Sequence, residues 1–343
     1  MRLQHVFTAV FIAFALCELP VHADPLFDVK PVTKDVYAAI ARPTFRTNCN
    51  AVIVLLDDGV LLVDTESKPS AAQELISYIK TLTDKPVRYI VITHFHADHT
   101  QGAETYLKAW PQAEIIAAEA TRASIPMRGQ ARMKFEAFNV PGQIKNLKLD
   151  LSKADSPEDK QTIEARIAEG NTYEGELTSL RIALPTITIS KALRIEQRTH
   201  PVEILNLGRA HTDGDLFVFL PRDKILISGD ALHSLTPTMR DCYPAEWIQT
   251  LHAAERLDFE TVVGGHGDLF HGKSTLTLWE DYFSDLLQRA SQAYASGATL
   301  DETRKQLVPA LIATYGNRFP KRFSETVVSN VEKAYRYAGG STD

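Results

Sequence analysis

The chain lacks an excess of charge of either sign. Its 37 lysine and arginine residues are nearly balanced by 43 aspartate and glutamate residues, for a formal net charge of -6. A weakly acidic protein offers no electrostatic reason to bind nucleic acid or an anionic membrane surface. We therefore expect neither as a partner, and we interpret the charge as that of a solvated, soluble surface.

Low-complexity tracts, fixed-period repeats and long hydrophobic runs are also lacking. The hydrophobic fraction of 44% and the charged fraction of 23% are ordinary for a globular protein, which argues against disorder. After the N-terminal region, no segment approaches the run of about 18 apolar residues that a membrane-spanning helix needs. We expect no stable membrane anchor in the mature protein.

The first 23 residues have a different character. Arg2 precedes an apolar stretch from Val6 to Leu16, and the small residue Ala23 follows Val-His. This is the three-part pattern of a secretory signal peptide, and its apolar run is too short to span a membrane. The sequence predicts cleavage after Ala23 and export of a soluble protein to the periplasm or the medium.

Cysteine is scarce, with 3 in the whole chain, and cleavage would remove Cys17. Cys49 and Cys242 would remain in an oxidising compartment, where cysteines can pair. The pattern does not show whether the two meet, because a disulfide requires close Cα atoms. The sequence is therefore compatible with either one disulfide between Cys49 and Cys242 or two free thiols.

Strand and helix patterns alternate over residues 24–275. Two apolar runs flank Asp57-Asp58-Gly59, which predicts a β-hairpin. Helical spacing predicts helices that begin at Pro69 and Pro244 and a third over about 101–110. Further strands are predicted at 87–93, 202–207, 216–220, 224–228 and 261–265. This alternation predicts a layered α/β domain, and the patterns of residues 276–343 predict a C-terminal helical segment.

Residues 120–200 are less regular, with one helix predicted near 156–169. We interpret this stretch as an insertion that forms a wall or lid over a site. Its basic residues Arg128, Arg132 and Lys134 are interpreted as a solvated helix face, with contact to an acidic substrate as the alternative. In the C-terminal segment, apolar positions such as Trp279 and Phe283 favour core packing over a substrate-covering or dimer-forming role.

The stretch THFHADHTQG concentrates potential metal ligands. His94 and His96 are two residues apart, so in an extended chain both side chains point to the same side. Asp98 and His99 follow where a loop can fold back. Imidazole and carboxylate groups suit zinc, and one catalytic zinc needs about three protein ligands. Four candidates in one turn therefore indicate two metals.

Further single ligands are predicted at later strand ends. His211 follows the strand VEILNL, Asp230 follows KILIS, and His266 follows TVV between glycines that allow a tight turn. Each alone is typical of a surface or capping residue. Together with the first motif, they predict one metal centre.

HFHADH, GRAHTDGD, SGD and GGHG resemble the metal motifs of the metallo-β-lactamase superfamily. The resemblance covers roughly residues 30–275 and implies a four-layer αββα sandwich with two metals at one edge. It implies one metal held by His94, His96 and His211. It implies a second held by Asp98, His99 and His266, with Asp230 bridging the two. A bridging aspartate is similar to hydroxyacylglutathione hydrolases and lactonases, whereas many zinc β-lactamases have cysteine there.

The resemblance implies hydrolysis of a small-molecule carbonyl substrate: an ester, lactone, thioester or amide. Two zinc ions would lower the pKa of a shared water from about 15.7 to about 7, and the resulting hydroxide would attack the carbonyl. Asp98 is the candidate catalytic residue, because it would orient that hydroxide as well as coordinate a metal. Iron or manganese could replace zinc. A β-lactamase is the alternative, and a non-hydrolytic metal-binding accessory protein is a further one that the complete ligand set disfavours.

Some residues near the motifs could support this centre. Thr93, Asp213 and Asp64 are candidates to orient ligand imidazoles, with turn or cap roles as the alternative. Four residues after the bridging aspartate are candidates to line the pocket: His233, Met239, Arg240 and Tyr243. His200, His252 and His271 are assigned no function.

Overall fold

The computed structural model describes residues 25–43, 45–46, 49–319 and 323–341. The predicted signal peptide lies outside the described residues. Within these ranges, two β-sheets pack face to face, and helices cover their outer faces. This is the four-layer αββα sandwich that the motifs implied, with helices added at the C-terminal end.

The first sheet has its strands in chain order. They are β1 (Phe27–Pro31), β2 (Val36–Ala41), β3 (Ala51–Leu55), β4 (Val60–Val63), β5 (Val87–Val91), β6 (Glu114–Ala118) and β7 (Ile187–Ile189). Neighbours are antiparallel from β1 to β4 and parallel from β4 to β7. The predicted hairpin around Asp57-Asp58-Gly59 is confirmed, because it joins β3 to β4.

The second sheet has the order β13-β12-β11-β10-β9-β8. Its strands are β8 (Ala192–Ile195), β9 (Val202–Leu205), β10 (Phe217–Leu220), β11 (Ile225–Gly229), β12 (Thr261–Gly264) and β13 (Phe270–His271). Only β11 and β12 are parallel neighbours in the described part of this sheet.

Helices connect the strands and complete the chain. They are α1 (Pro69–Leu82), α2 (Ala97–Thr100), α3 (Ala103–Ala109), α4 (Glu119–Leu151), α5 (Pro157–Leu177), α6 (Pro244–Glu255), α7 (Ser274–Ala295), α8 (Leu300–Tyr315) and α9 (Phe323–Ala338). The helices predicted to begin at Pro69 and Pro244 are confirmed. Proline suits the first turn of a helix because its missing N–H has no partner there.

Alternating side chains divide each inner strand between two cores. Leu61 faces the space between the sheets, together with Val91 and Val218, whereas its neighbour Leu62 packs with Leu75 of α1 on the outer face. This follows from the period of two along a strand. Because both faces of these strands are covered, their sequences are continuous apolar runs.

The C-terminal helices pack on the outer face of the second sheet. Trp279 and Phe283 of α7 are fully buried against Trp247 of α6, and Val327 and Val331 of α9 join the same core. The core packing favoured from the sequence is therefore what the structure shows. An aromatic cluster of this size stabilises the fold strongly, since truncating one such buried ring costs about 3–5 kcal/mol.

Residues 120–200 are more regular than expected: the helix predicted near 156–169 is confirmed as α5, and most of the irregular chain expected before it is a second helix. The 33-residue helix α4 packs against α5, and Val140, Ile144 and Tyr173 form a small core between them. Pro126 and Pro141 lie inside α4. Internal prolines remove helical hydrogen bonds and ordinarily end a helix, so the sequence, although it placed Arg128 and Arg132 on a helix face, did not reveal the length of α4.

The two cysteines of the described chain are free. Cys49 and Cys242 are both buried and unpaired with each other, which settles the alternative that the sequence left open. Among the described residues, no helix combines the length and apolar character needed to cross a membrane.

Candidate metal centre

The predicted ligands meet at one edge of the sandwich, where strands of both sheets end. The loop after β5 carries His94 and His96, and the short helix α2 carries Asp98 and His99. From the second sheet, His211 lies between β9 and β10, Asp230 follows β11 and His266 follows β12. The fold thus brings together side chains separated by more than a hundred residues.

One group of potential donor atoms belongs to His94, His96, His211 and Asp230, all within 4.8 Å of one another. His96 Nδ1 lies 3.0 Å from His211 Nε2, and His211 Nε2 lies 3.5 Å from Asp230 Oδ2. His94 Nε2 is 3.9 Å from the same oxygen. Donors about 2.0–2.1 Å from a tetrahedral zinc are separated by about 3.3 Å, so this group has the size that one zinc requires.

A second group belongs to Asp98, His99 and His266. His266 Nε2 lies 3.2 Å from Asp98 Oδ2 and 3.4 Å from Asp230 Oδ2. His99 Nε2 lies 3.7 Å from Asp98 Oδ2 and 3.4 Å from Asp230 Oδ1. The Asp230 carboxylate therefore stands between the two groups, as the bridging position requires.

Three buried polar atoms at this centre have no hydrogen-bond partner within the described chain: His94 Nε2, His99 Nε2 and Asp230 Oδ1. Leaving such an atom unpaired costs about 1–3 kcal/mol. Cations bound between the two groups would satisfy all three atoms. The residues present therefore fit a pair of divalent metal ions, and their imidazole and carboxylate donors suit zinc.

Asp64 holds the first motif in place from the end of β4. Its Oδ2 accepts hydrogen bonds from His99 Nδ1 at 2.8 Å and from the Thr93 hydroxyl at 2.9 Å. Its Oδ1 accepts a hydrogen bond from the Thr93 backbone N–H at 2.8 Å. Asp64 adopts a left-handed φ of 64°. Backbone strain of this kind is found at functional sites, where a side chain must be held in one orientation. Thr93 Oγ1 also lies 3.1 Å from His94 Nδ1.

These contacts leave Nε2 of His94 and of His99 directed to the centre, as orienting partners of metal-bound histidines do. Thr93 and Asp64 thus occupy the supporting positions that the sequence suggested. Asp213 does not, because among the described residues no contact joins it to a ligand imidazole and its buried Oδ1 has no hydrogen-bond partner. In the same turn it is Asp215 that accepts hydrogen bonds from Thr212.

Sequence reasoning missed Asp241 as a partner of His96. Asp241 Oδ2 lies 3.0 Å from His96 Nε2, and Asp241 Oδ1 accepts a hydrogen bond from Arg128 of α4 at 3.1 Å. The hydrogen bond with His96 and the charge of Arg128 hold the pKa of Asp241 well below its usual range. No sequence signal could have found this contact, since 145 residues separate Asp241 from His96 and no motif includes it.

Close packing at Asp230 explains the glycine pair that precedes His266. A Cβ atom on Gly265 would lie 2.1 Å from Asp230 Oδ1 and 2.9 Å from the carbonyl carbon of Gly229. Any other residue would displace the carboxylate that joins the two donor groups. On the opposite side, His211 Nδ1 donates to the Thr238 carbonyl at 3.2 Å, which directs its Nε2 to the centre.

Burial and charge set the protonation of the centre. Burial lowers the pKa of His94 well below its ordinary value and that of His211 to about 3, so both rings are neutral, as metal ligands must be. Burial alone would also lower the pKa of His266, but Asp230 and Asp98 raise it to about 10. The negative charge of these two carboxylates favours a proton on His266 when no metal is bound. The same charge would attract a divalent cation, which would replace that proton.

A cavity of about 810 Å³ opens over the centre. Its floor includes His96, Asp98, Asp230 and His266, and its wall includes Thr326, Ser329, Lys333 and Arg336 of α9. The C-terminal segment therefore borders the candidate site in addition to its core packing. A second recess of about 500 Å³ lies on the α4 side and is lined by Phe95, Arg132 and Phe135.

The sequence predictions for the pocket were correct in part. His233 and Arg240 line the large cavity, whereas Met239 is buried in the hydrophobic core and Tyr243 packs under the guanidinium of Arg209. Two residues of the basic cluster form ion pairs with other side chains and do not only contact solvent. Arg128 contacts Asp241, and Arg132 pairs with Glu136, whose side chain is fully buried, at 2.5 Å.

Comparison with known proteins identifies the family to which this fold belongs. The sequence model of the Metallo-beta-lactamase superfamily matches residues 44–266, a span that contains all the candidate ligands. The chain belongs to this superfamily, whose members are metal-dependent hydrolases.

Three curated relatives differ in the activities that their names give. The chain is 23% identical over 299 residues to a linear primary-alkylsulfatase of Pseudomonas sp., covering 81% of this chain and 53% of that protein. It is 40% identical over 57 residues to a hydroxyacylglutathione hydrolase of Synechococcus sp., covering 17% and 23%. It is 24% identical over 226 residues to a type 2 metallo-β-lactamase of Bacillus cereus, covering 64% and 67%. The chain thus spans about half the length of the alkylsulfatase.

Solved structures show the same fold. A metallo-β-lactamase from Pontibacter korlensis superposes with a TM-score of 0.53 at 18% identity, covering 76% of this chain and 99% of that chain. The metallo-β-lactamase FIM-1 from Pseudomonas aeruginosa, in its mono-zinc form, gives 0.54 at 17% identity, covering 77% and 97%. At sequence identities this low, the similarity to these structures shows the fold alone.

Proposed function

We propose that this protein is an exported dinuclear zinc hydrolase acting on a small ester, lactone, thioester or amide. The observation that carries the proposal is the shared position of Asp230, whose two oxygens lie 3.4 Å from His99 Nε2 and 3.5 Å from His211 Nε2. A non-hydrolytic accessory protein would not need both donor groups intact.

Each donor group would hold one cation. His94, His96 and His211 would bind the first, Asp98, His99 and His266 the second, and Asp230 would reach both. Bound zinc supplies Lewis acidity and lowers the pKa of a bound water to about 7. The rings of His94 and His211 are buried and neutral, so they can bind a cation without first losing a proton.

Asp98 is the proposed catalytic residue. Its side chain is 26% exposed and lines the cavity, whereas that of Asp230 is 7% exposed. Burial alone would raise the pKa of Asp98, but His99 and His266 outweigh it and keep the carboxylate ionised. An ionised, accessible carboxylate accepts a hydrogen bond from the attacking water and orients it towards the substrate.

The size of the cavity supports a small-molecule substrate. Its volume of about 810 Å³ lies within the range of about 300–1,000 Å³ that is usual for such sites. Polar residues of α9, such as Thr326 and Ser329, line this space together with the candidate ligands.

A hydrolysis panel tests the proposal. Zinc-loaded protein is assayed with aryl esters, lactones, thioesters, β-lactams and alkyl sulfates. Asp98→Asn is assayed beside it, with Asp258→Asn as the control, since the Asp258 side chain is 83% exposed and is not among the candidate ligands. We expect turnover of at least one carbonyl substrate, a loss of about 10²-fold or more in kcat for Asp98→Asn, and no loss for the control. Turnover by Asp98→Asn equal to wild type removes the role of Asp98, and a panel without carbonyl turnover refutes the proposed function.

Two other members of the panel represent second candidate functions. Sulfate-ester hydrolysis is favoured by the alkylsulfatase of Pseudomonas sp., which aligns with 81% of the chain. β-Lactam hydrolysis is favoured by the similarity to the Bacillus cereus enzyme over 64% of the chain. Preferential turnover of an alkyl sulfate or of a penicillin would replace the carbonyl-ester assignment.

Export is proposed from the signal-peptide pattern of residues 1–23. N-terminal sequencing of the protein from the periplasmic fraction or the medium is expected to begin at Asp24. Recovery of the full-length chain in the cytoplasm would contradict export.

A further inference from the structure

The recess on the α4 side is a second space beside the metal centre. Its volume is about 500 Å³, and it shares the lining residues His96 and Asp98 with the larger cavity, so both spaces border the centre. Four arginines line the recess, against three carboxylates, and one of these carboxylates, Asp98, is a candidate metal ligand. The recess therefore has an excess of positive charge next to the centre.

The buried carboxylate of Glu136 lies between two of these arginines. It forms ion pairs with Arg46 and, at 2.5 Å, with Nε of Arg132. One carboxylate between two guanidinium groups leaves the three side chains with a net positive charge. The Arg132 guanidinium also lies over the ring of Phe135, with its central carbon 5.3 Å from the ring centroid. Glu136 and Phe135 together hold this guanidinium in place.

The outer nitrogen atoms of Arg132 can bind a ligand. Its side chain is 36% exposed, and among the described residues no hydrogen bond joins its two Nη groups to another residue. The planar end of a guanidinium matches the two oxygen atoms of a carboxylate, which it binds through two parallel hydrogen bonds. Because Arg132 is already oriented by its neighbours, little side-chain freedom would be lost on binding.

Gln101 supplies a second, buried donor. It follows His99 by two residues and is 6% exposed, yet it lines the recess. Among the described residues, its buried Nε2 has no hydrogen-bond partner. The Tyr173 hydroxyl lies 3.5 Å from Gln101 Oε1 and accepts a hydrogen bond from the Arg46 guanidinium. The hydroxyl therefore directs its own hydrogen to Oε1, which fixes the orientation of the amide and leaves Nε2 as a donor for a bound oxygen atom.

We propose that this recess binds a carboxylate of the substrate, which accepts hydrogen bonds from the Nη groups of Arg132 and from Gln101 Nε2. The substrate then carries two groups, the carbonyl that is attacked at the metal centre and a carboxylate at its other end. This inference rests on the proposed function, and it narrows the substrate class to esters, lactones, thioesters or amides that carry a carboxylate.

Paired ligands measure the contribution of the recess separately from that of the metals. Succinate, glutarate and adipate have two carboxylates, whereas butanoate, pentanoate and hexanoate have the same numbers of carbon atoms and one carboxylate. A single carboxylate can bind the zinc ions, so the advantage of each dicarboxylate over its partner reports the second contact. Affinities are measured by titration calorimetry with zinc-loaded protein, and the zinc content and melting temperature of each variant are recorded.

We expect at least one dicarboxylate to bind wild type about 10- to 100-fold more tightly than its partner, because it gains hydrogen bonds between charged groups. Arg132→Gln should remove most of this advantage. Gln101→Met, which has a side chain of the same length without a donor, should reduce it about 2- to 10-fold. Zinc content should not change in either variant. Arg166→Gln is the matched control, at an exposed arginine of α5 that lines neither space.

Several results would overturn the proposal. If no dicarboxylate binds wild type more tightly than its partner, the recess holds no carboxylate. If the advantage persists in Arg132→Gln and in Gln101→Met, both carboxylates bind the metals. An equal loss in Arg166→Gln would mean that only net charge matters. If Arg132→Gln fails to fold, Gln101→Met decides alone. The proposed function fails on a different result, the absence of carbonyl turnover by wild type, so the two failures are distinguishable.

Discussion

Replacing Asp241 by asparagine is expected to weaken zinc binding by the group that contains His96. The Asp241 carboxylate lies 3.0 Å from His96 Nε2 and leaves Nδ1 directed towards His211 Nε2, 3.0 Å away. Asparagine has the same shape but no charge, so it loses both the charge-assisted bond to His96 and the ion pair with Arg128.

General values for contacts of this kind set the expected magnitude. Removing an orienting partner of a metal-bound histidine typically costs about 10- to 100-fold in metal affinity, or about 1.4–2.8 kcal/mol. A neutral acceptor retains about half the strength of a charged one. We therefore expect a loss of about tenfold for Asp241→Asn and about 100-fold for Asp241→Ala. Arg128→Ala should cost less, because the Arg128 side chain is 52% exposed.

The assay is competition for zinc with a chromophoric chelator, together with the visible spectrum of the cobalt-substituted protein. Asp223→Asn is the matched control, since Asp223 lies 2.7 Å from His200 in a similar aspartate–histidine pair that is absent from the donor groups. Unchanged zinc affinity and an unchanged cobalt spectrum in Asp241→Ala would refute the reasoning. A loss in Asp223→Asn equal to that in Asp241→Asn would show that the effect is not local.

Three further predictions concern stability. Metal removal by a chelator should lower the melting temperature, and zinc at a hundredfold its Kd should restore about 2.7 kcal/mol per site; a chelator without effect in scanning fluorimetry would contradict a metal centre. Burial lowers the pKa of His200, but hydrogen bonds with Asp223 and Asp35 outweigh it and raise the pKa above 6.5. The protonated ring therefore stabilises the fold fully below about pH 6.5, and this contribution is lost as the pH rises through the raised pKa. Urea unfolding of wild type and His200→Gln should show a difference that shrinks at alkaline pH, and a constant difference would disprove the linkage. Asn330 of α9 is fully buried, accepts from the Met239 N–H and donates to the Pro237 carbonyl and the Tyr282 hydroxyl. Asn330→Ala should cost about 3 kcal/mol in the free energy of unfolding, because buried groups lose their partners, and a change below about 0.5 kcal/mol would mean that water replaces them.

Local patterns in the sequence were sufficient for much of the fold. The hairpin at Asp57-Asp58-Gly59 and the helices that begin at Pro69 and Pro244 depend on neighbouring residues, and the structure contains all three. The full length of helix α4 could not be predicted in this way, because Pro126 and Pro141 within it ordinarily indicate the end of a helix. Its helical state depends instead on packing against α5, which no local pattern records.

The candidate ligands were predictable for a related reason. One turn contains four potential metal ligands: His94, His96, Asp98 and His99. Because such a cluster has no ordinary packing role, it can be recognised from the sequence alone. His211, Asp230 and His266 were added by their places at strand ends and by resemblance to a family. The distances of 3.4 and 3.5 Å that set Asp230 between two donor groups appeared only when the two sheets were packed together.

The sequence by itself thus determined the strands and most helices, the set of candidate ligands and the superfamily. The tertiary structure alone decided that Asp241 supports His96, that α9 forms a wall of the cavity, and that Met239 is buried in the hydrophobic core instead of lining that cavity. The physical reason is one of range. Periodicity and ligand spacing are properties of consecutive residues, whereas these contacts depend on how distant elements pack and on where each side chain then points.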